Sequence, residues 1–304
     1  MTHVIAVTGA TGQVGRRVAR GLAAAGPDTR PALRLLCRDP SRLPDLPDLP
    51  GAVKAPPAAY GDADAMRAAI DGADTLFLVS AHESADRVRE HQSAVDAAVA
   101  AGVQRIVYLS FLGAAPDATF TFARDHWHTE QYIRATGLRH TFLRDSFYQA
   151  AFPAMTGEDG VMRGPGGDGR VSAVAHEDVA DAAVAVLLGE GHDGATYDLT
   201  GGEALSLAEI AQELSRATGR TVTYVPETRE EAYASRERYG AEAWEVAGWV
   251  SSYEAIANGE MAAVSDAVPR LTGHSAKTFA EYLEEHPRRY RHLVSGMGEG
   301  QRHG

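Results

Sequence analysis

Residues 4–15, VIAVTGATGQVG, constrain the fold more than any other stretch of the chain. Val4, Ile5, Ala6 and Val7 form the apolar run expected of a strand covered on both faces. Gly9, Gly12 and Gly15 follow at the spacing G-x-x-G-x-x-G, and a helical pattern begins at once. Gly9 permits a sharp turn, Gly12 lets backbone approach a ligand, and Gly15 lets the helix lie close to the strand. The free N–H groups and positive dipole end of such a helix suit a pyrophosphate. Strand, glycine turn and helix in this order predict a dinucleotide site built from Gly9, Thr11, Gly12, Gln13, Val14 and Gly15.

Beyond this motif, strand and helix patterns alternate, which predicts an α/β fold with a doubly wound parallel sheet of the Rossmann type. Val14, Val18 and Leu22 recur at four-residue steps and give the first helix an apolar face. Strands are expected at 33–37, 75–80, 106–110, 141–144 and 197–200. Helices are expected at 63–70, 87–101, 124–135, 177–188 and 206–218, the last opened by a capping box from Ser206 to Glu209. The proline-rich segment 40–50 and the glycine-rich segment 157–170 read as loops, and 227–285 as patchily amphipathic helix. This divides the chain into a NAD(P)-binding Rossmann domain at 1–150, a smaller C-terminal α/β part at 151–286 forming the substrate cleft, and a flexible tail at 287–304.

Composition excludes several partners. The 304 residues carry a formal net charge of −12, which argues against nucleic acid and anionic membranes. No run approaches the roughly 18 apolar residues of a membrane span. A strand starting at residue 4 leaves no room for a signal peptide, so a cytoplasmic location is expected. The single cysteine, Cys37, reads as a small core residue. The twelve histidines show no paired metal-ligand spacing, and His126 and His128 point to different sides of a helix, so no metal is expected. The acid-rich start His176-Glu177-Asp178 reads as helix capping.

The end of the second strand bears on cofactor choice. Arg38 is suited to a 2′-phosphate through a bidentate pair, assisted by Arg16, and favours NADP(H) over NAD(H). In the competing reading, Arg38 is a solvated charge and Asp39 takes the ribose. Ser80, at the carboxyl end of its strand, is placed to touch the cofactor.

Taken together, TGATGQVG, LCRDP, AGVQRIVYLS, HTEQYIRATGLRHTFLRDSFY and VSAVAHEDVADAAVAVL resemble the NmrA-like atypical short-chain dehydrogenase/reductases over roughly residues 3–285. Within that group the chain most resembles type 2 NADPH quinone oxidoreductases and the related triphenylmethane reductases. The resemblance implies a Rossmann domain, a small C-terminal α/β part and a substrate cleft between them. Ordinary short-chain dehydrogenases use a serine at the end of strand five and then Tyr-x-x-x-Lys. Ser110 stands at the serine position, but Phe122 replaces the tyrosine and His126 the lysine. Phenylalanine donates no proton, so an unactivated ketone loses its acid.

FARDHWHTE resembles the quinone oxidoreductase group, where a histidine also stands at the lysine position. His126 is thereby implied to hold the nicotinamide ribose or lie beside the substrate; a conjugated acceptor spreads its charge, so water, Ser110 or a protonated His126 is expected to supply the proton afterwards. The competing readings are a surface His126 paired with Glu130, and Ser110 as a strand-end hydroxyl satisfying backbone. Phe111, Phe147 and Tyr148, with Trp244 and Trp249, are expected to line an apolar pocket for a small-molecule acceptor. The expected function is hydride transfer from NADPH to a quinone-like or other conjugated acceptor. Two alternatives stand beside it: a non-catalytic NADP(H)-binding sensor, and a specialised enone, imine or ketone reductase. A homodimer is compatible with each.

Overall fold

In the computed structural model, which describes residues 3–43, 49 and 52–294, the opening motif forms β1 (Val4–Val7) and α1 (Gln13–Ala23). The chain continues through β2 (Ala32–Leu35), β3 (Ala52–Lys54), α2 (Ala63–Ile70), β4 (Thr75–Val79), α3 (Arg87–Ala100), β5 (Arg105–Phe111), α4 (Thr121–Ala135) and β6 (Arg139–Asp145). These six strands lie in the order β3-β2-β1-β4-β5-β6, and Thr196–Leu199 adds a seventh beside β6. Every pairing is parallel. The order reverses between β1 and β4, so the crevice at their carboxyl ends is the expected ligand site of a doubly wound sheet.

Apolar layers cover both faces. On one, α1 packs on helix His176–Leu188, and a Cβ at Gly21 would come within 2.7 Å of Val184 Cγ2. Val14, Val18 and Leu22 are buried there as their spacing predicts. On the other, Met66, Ile70, Val95 and Ile133 pack against Leu76, Leu78 and Tyr108. A third core joins Phe152, Met162, Leu207, Leu214, Tyr253 and Ile256 in the C-terminal half.

Several elements differ from expectation. The three-residue β3 is too short to carry a periodic signal, and Val53 on it is exposed. Within 40–50, Pro40–Arg42 is a short 3-10 turn, while 44–48 and 50–51 lie outside the described residues. The segment 157–170 is not a plain loop. Val161–Gly164 pairs with Thr223–Pro226, and Arg170–Val171 pairs with Leu205–Ser206. Two of its glycines serve close packing: a Cβ on Gly164 would lie 2.4 Å from the Tyr253 ring, and one on Gly169 2.0 Å from Ile256 O. Helix His176–Leu188 has Ala175 at its N-cap with no side-chain cap, so His176, Glu177 and Asp178 do not cap it. Glu177 instead pairs with Arg17, and Asp178 accepts from Lys277 N.

Residue 150 is not a clean boundary. Helix His176–Leu188, strand Thr196–Leu199 and the buried Ala267 and Val268 all return to the first half's core. Nor does a tail begin at 287, because Pro287–Tyr290 and Arg291–Val294 are helical and bury Tyr290 and Leu293 against the third core. The two apolar residues stand three apart, on one helical face. Residues 295–304 lie outside the described residues.

Candidate active site

The glycine turn is built by contact geometry. Gly9 has φ +59°, in the left-handed region, and its missing Cβ leaves room for Val79 of β4. A Cβ on Gly15 would sit 2.4 Å from Gly9 O, so α1 can start against the end of β1 only with glycine there. A Cβ on Gly12 would meet nothing within 4 Å except Gly9 O at 3.2 Å. Gly12 caps α1 without a side chain, leaving the helix's positive end open. Gln13 is exposed, Val14 places its side chain in the core, and Thr11 O accepts from Arg16 Nη2 at 3.3 Å. The turn therefore fits a diphosphate through backbone.

Thr8 fixes the crevice behind it. Its hydroxyl donates to Phe77 O at 3.1 Å and accepts from Val79 N at 2.8 Å, while Tyr60 donates to Val79 O at 2.6 Å. Ser80 follows, half-buried, at the end of β4. Past β2, Arg38 is exposed, whereas the Asp39 carboxylate accepts from Ser41 N and Oγ at 3.0 and 2.6 Å. The Ser41 hydrogen bonds hold the Asp39 carboxyl below its ordinary range and turn it into a local loop contact. Cys37 is buried, and burial pushes its thiol up.

At β5 and α4 the side chains expected to act chemically are buried. Ser110 is 0% exposed and donates to Glu130 Oε1 at 2.6 Å. Glu130, also 0% exposed, takes Arg144 Nε and Nη2 at 2.8 and 2.6 Å. The Ser110 proton is thus committed to a buried ion pair, neither free for an acceptor nor satisfying loop backbone. His126 is 4% exposed and does not pair with Glu130. Its Nε2 lies 3.1 Å from Arg87 Nη2 and its Nδ1 2.9 Å from Tyr108 Oη. Guanidinium only donates, so Nε2 accepts and the proton sits on Nδ1. Burial, reinforced by the Arg87 charge, holds this imidazole well below its ordinary pKa and therefore neutral.

A cavity of about 1310 Å³ opens at the start of α4 and the segment after β6; Ser110, His126, Ser80 and the glycine turn are not among its lining residues. Phe120, Phe122, Phe147, Met155 and Trp249 line it, with Arg163, Arg236, Arg238 and Glu83 among its polar groups. Phe122 lies against Gly248, where a Cβ would come within 2.3 Å of the ring. Three expected lining residues, Phe111, Tyr148 and Trp244, do not line it. Phe111 is covered by Phe120 and Phe147, each with its ring centre 5.0 Å away. Tyr148 stacks on His176 at 3.9 Å and donates to the Asp145 carboxylate. Trp244 packs behind Phe122. Among the described residues no cluster of His, Cys, Asp or Glu suits a metal ion, and no helix is long and apolar enough to cross a membrane.

The model of the NmrA-like family matches residues 1–283. The chain belongs to the NmrA-like family. This NmrA-like protein is 36% identical over 292 residues to the (4-alkanoyl-5-oxo-2,5-dihydrofuran-3-yl)methyl phosphate reductase of Streptomyces griseus, covering 93% of this chain and 98% of that one. Its fold matches the Escherichia coli NADPH-dependent quinone oxidoreductase complexed with NADPH at a TM-score of 0.83 and 32% identity, over 92% of this chain and 99% of that one. It also matches the Citrobacter sp. triphenylmethane reductase complexed with NADP(H), at a TM-score of 0.80 and 30% identity, over 93% and 99% of the two chains.

Several polar groups of this NmrA-like site carry no sequence motif: Tyr60, Arg87, His91, Tyr108 and Asp145. Arg87 was the most readable of them. It stands at the start of α3, where a cation opposes the helix dipole, and such a local violation commonly marks a functional position.

Asp145 carries a pH-dependent prediction. Burial pushes its carboxyl up to about 7, against the Tyr148 hydrogen bond and the Arg87 charge. Unfolded, it titrates near 3.8. Below that value both states hold the proton; as pH rises toward 7 only the unfolded state releases it, and stability is lost. Asp145→Asn still accepts from Tyr148 but cannot ionise. Its stability in urea should equal wild type at pH 3 and exceed it by roughly 2–4 kcal/mol at pH 8. A constant difference across that range would mean the carboxyl titrates normally.

Proposed function

We propose that this chain is an NADPH-dependent oxidoreductase that passes a hydride to a quinone-like or other conjugated acceptor. The observation that carries this reading is an open, backbone-lined helix terminus in a sheet whose carboxyl edge also borders a large aromatic cavity. At that cavity, Phe122 stands where a proton-donating tyrosine would be needed for simple ketones. The Streptomyces griseus relative supports the acceptor class, since its named substrate contains an unsaturated ring conjugated to carbonyl groups.

In this reading the N–H groups at the start of α1 hold the pyrophosphate and Arg38 holds the 2′-phosphate. Ser80 and His126 flank the nicotinamide ribose. The bound NADPH supplies the hydride. Phe120, Phe122, Phe147 and Trp249 orient a flat acceptor and exclude water from its face. His126 is neutral with its proton directed at Tyr108, and the Ser110 proton is directed at Glu130. Neither side chain protonates the product. Water does so after hydride transfer, because a conjugated acceptor spreads its negative charge.

NADPH consumption against a panel of quinones, conjugated enones, cationic dyes and simple ketones tests the function. Turnover on conjugated members and none on simple ketones is expected. Tight NADPH binding with no turnover on any member would replace this reading with the sensor one. For the cofactor, Arg38→Ala should weaken NADPH by about 1–3 kcal/mol in titration calorimetry, the cost of a lost charge-assisted pair, and leave NADH unchanged. Equal losses for both would remove Arg38 from the phosphate.

A further inference from the structure

We propose that Arg87 and His91 clamp the backbone at Ala81 and His126 in place as positioning residues for hydride transfer. The proposal rests on the reading of function above and names residues that it does not use.

The two side chains leave α3 one turn apart and hold the two peptide groups that flank one residue, Ala81. Ala81 N donates to His91 Nε2 at 2.8 Å, and Ala81 O accepts from Arg87 Nε at 3.0 Å. A backbone N–H only donates, so His91 carries its proton on Nδ1. That proton goes to Thr129 Oγ1 at 2.8 Å, whose own proton goes to Asp125 O at 2.9 Å. Arg87 spans the gap to α4 with its second nitrogen, fixing His126 as the Nδ1–H tautomer against Tyr108. Every bond in this chain has a determined donor, and neither imidazole can be protonated without breaking one. Burial, with the Arg87 charge beside it, pushes His91 down to about 3.

Packing alone does not call for these residues. The buried face of α3 continues with Ala94, Val95 and Ala98, and apolar side chains at 87 and 91 would extend it. Arg87 and His91 are instead 4% and 0% exposed, at the desolvation cost that such groups incur. Their arrangement gives direction: it sets the loop that carries Ser80 and orients His126. Arg87 also supplies fixed charge. Its Nη1 makes no hydrogen bond, and Asp125 Oδ2 lies 3.8 Å away. The positive charge that Tyr-x-x-x-Lys enzymes carry on the helix after strand five is here brought in from α3.

Three measurements on the full chain test the clamp: 15N NMR of the histidine tautomers, NADPH affinity by calorimetry, and single-turnover oxidation of NADPH by a quinone. In Arg87→Met, His126 should populate its Nε2–H tautomer, and the hydride-transfer rate should fall about tenfold or more while the NADPH dissociation constant changes by less than about threefold. Arg87→Lys keeps the charge but lacks the fork, so its rate should stay close to that of Arg87→Met. Thr129→Val is the milder variant if Arg87 variants do not fold; it removes the His91 Nδ1–H acceptor while Ala81 N still holds Nε2, so the tautomer should persist and the single-turnover rate should fall about threefold or more. A wholly Nδ1–H His126 in Arg87→Met, or a single-turnover rate within about twofold of wild type in that variant or, where it must stand in, in Thr129→Val, would overturn the proposal. If wild type oxidises NADPH with no acceptor, the functional reading fails, and the tautomers and NADPH affinity still decide the clamp.

Discussion

Gly15→Ala should lower the melting temperature and weaken dinucleotide binding by about 100-fold or more, equivalent to roughly 2.7 kcal/mol. The added Cβ would lie 2.4 Å from Gly9 O, 2.7 Å from Gly9 C and 2.8 Å from Thr8 O. All three are backbone atoms at the end of a central strand, so none can swing aside as a side chain would. Either α1 shifts off the sheet or the turn opens, and overpacking of this kind costs about 1–3 kcal/mol or more. Gly12→Ala is the control. Its Cβ meets only Gly9 O, at 3.2 Å, and faces the open end of the helix. That variant should melt close to wild type yet bind NADPH more weakly. Scanning calorimetry and titration calorimetry separate the two effects. A Gly15→Ala protein that melts and binds normally would show that α1 approaches β1 less closely than described.

Glu130→Ala should destabilise the protein by about 3–5 kcal/mol, the range for removing one partner of a buried ion pair. Glu130 is fully buried, accepts from Ser110 and from Nε and Nη2 of Arg144, and forms an ion pair with Arg134 Nη1 at 3.4 Å. Its removal strands the Arg144 guanidinium, which is 21% exposed, between β6 and α4. Urea unfolding measures the loss. The double variant Glu130→Leu with Arg144→Met should recover most of it, because apolar replacement of a whole buried pair is often neutral or better. A loss below about 1 kcal/mol in the single variant would place the pair in the weak class of solvated surface bridges.

The two contacts mark the limits of what the sequence discloses. The glycine turn was legible because a strand, three glycines and a helix impose local demands that few other residues meet. The sheet was legible because buried parallel strands are apolar and the helices between them are periodic. Ser110, Glu130 and His126 were visible as residues but not as partners. A carboxylate at Glu130, four positions after His126, suggests a helical pair, yet it turns instead to Arg144 and Ser110 on neighbouring strands. Only the strand order creates that encounter. The glycines of 157–170 misled for a related reason: a glycine admitting a neighbour's ring and a glycine permitting a turn look the same in one dimension. Tyr148 and Phe111 were named as pocket residues from their aromatic character. Nothing local says that His176 stacks on the first, or that Phe120 and Phe147 cover the second.

The return of helix His176–Leu188 and strand Thr196–Leu199 to the first half has a consequence for recombination. A chimera joined once at residue 150 would set one parent's β6 against the other parent's Thr196–Leu199, and one parent's α1 against the other's helix. The Gly21–Val184 approach makes that second contact intolerant of a larger side chain on either side. Acceptor preference can therefore be exchanged between relatives only as two separate inserts, one before and one after the 174–201 segment, with that segment inherited from the parent that supplies α1.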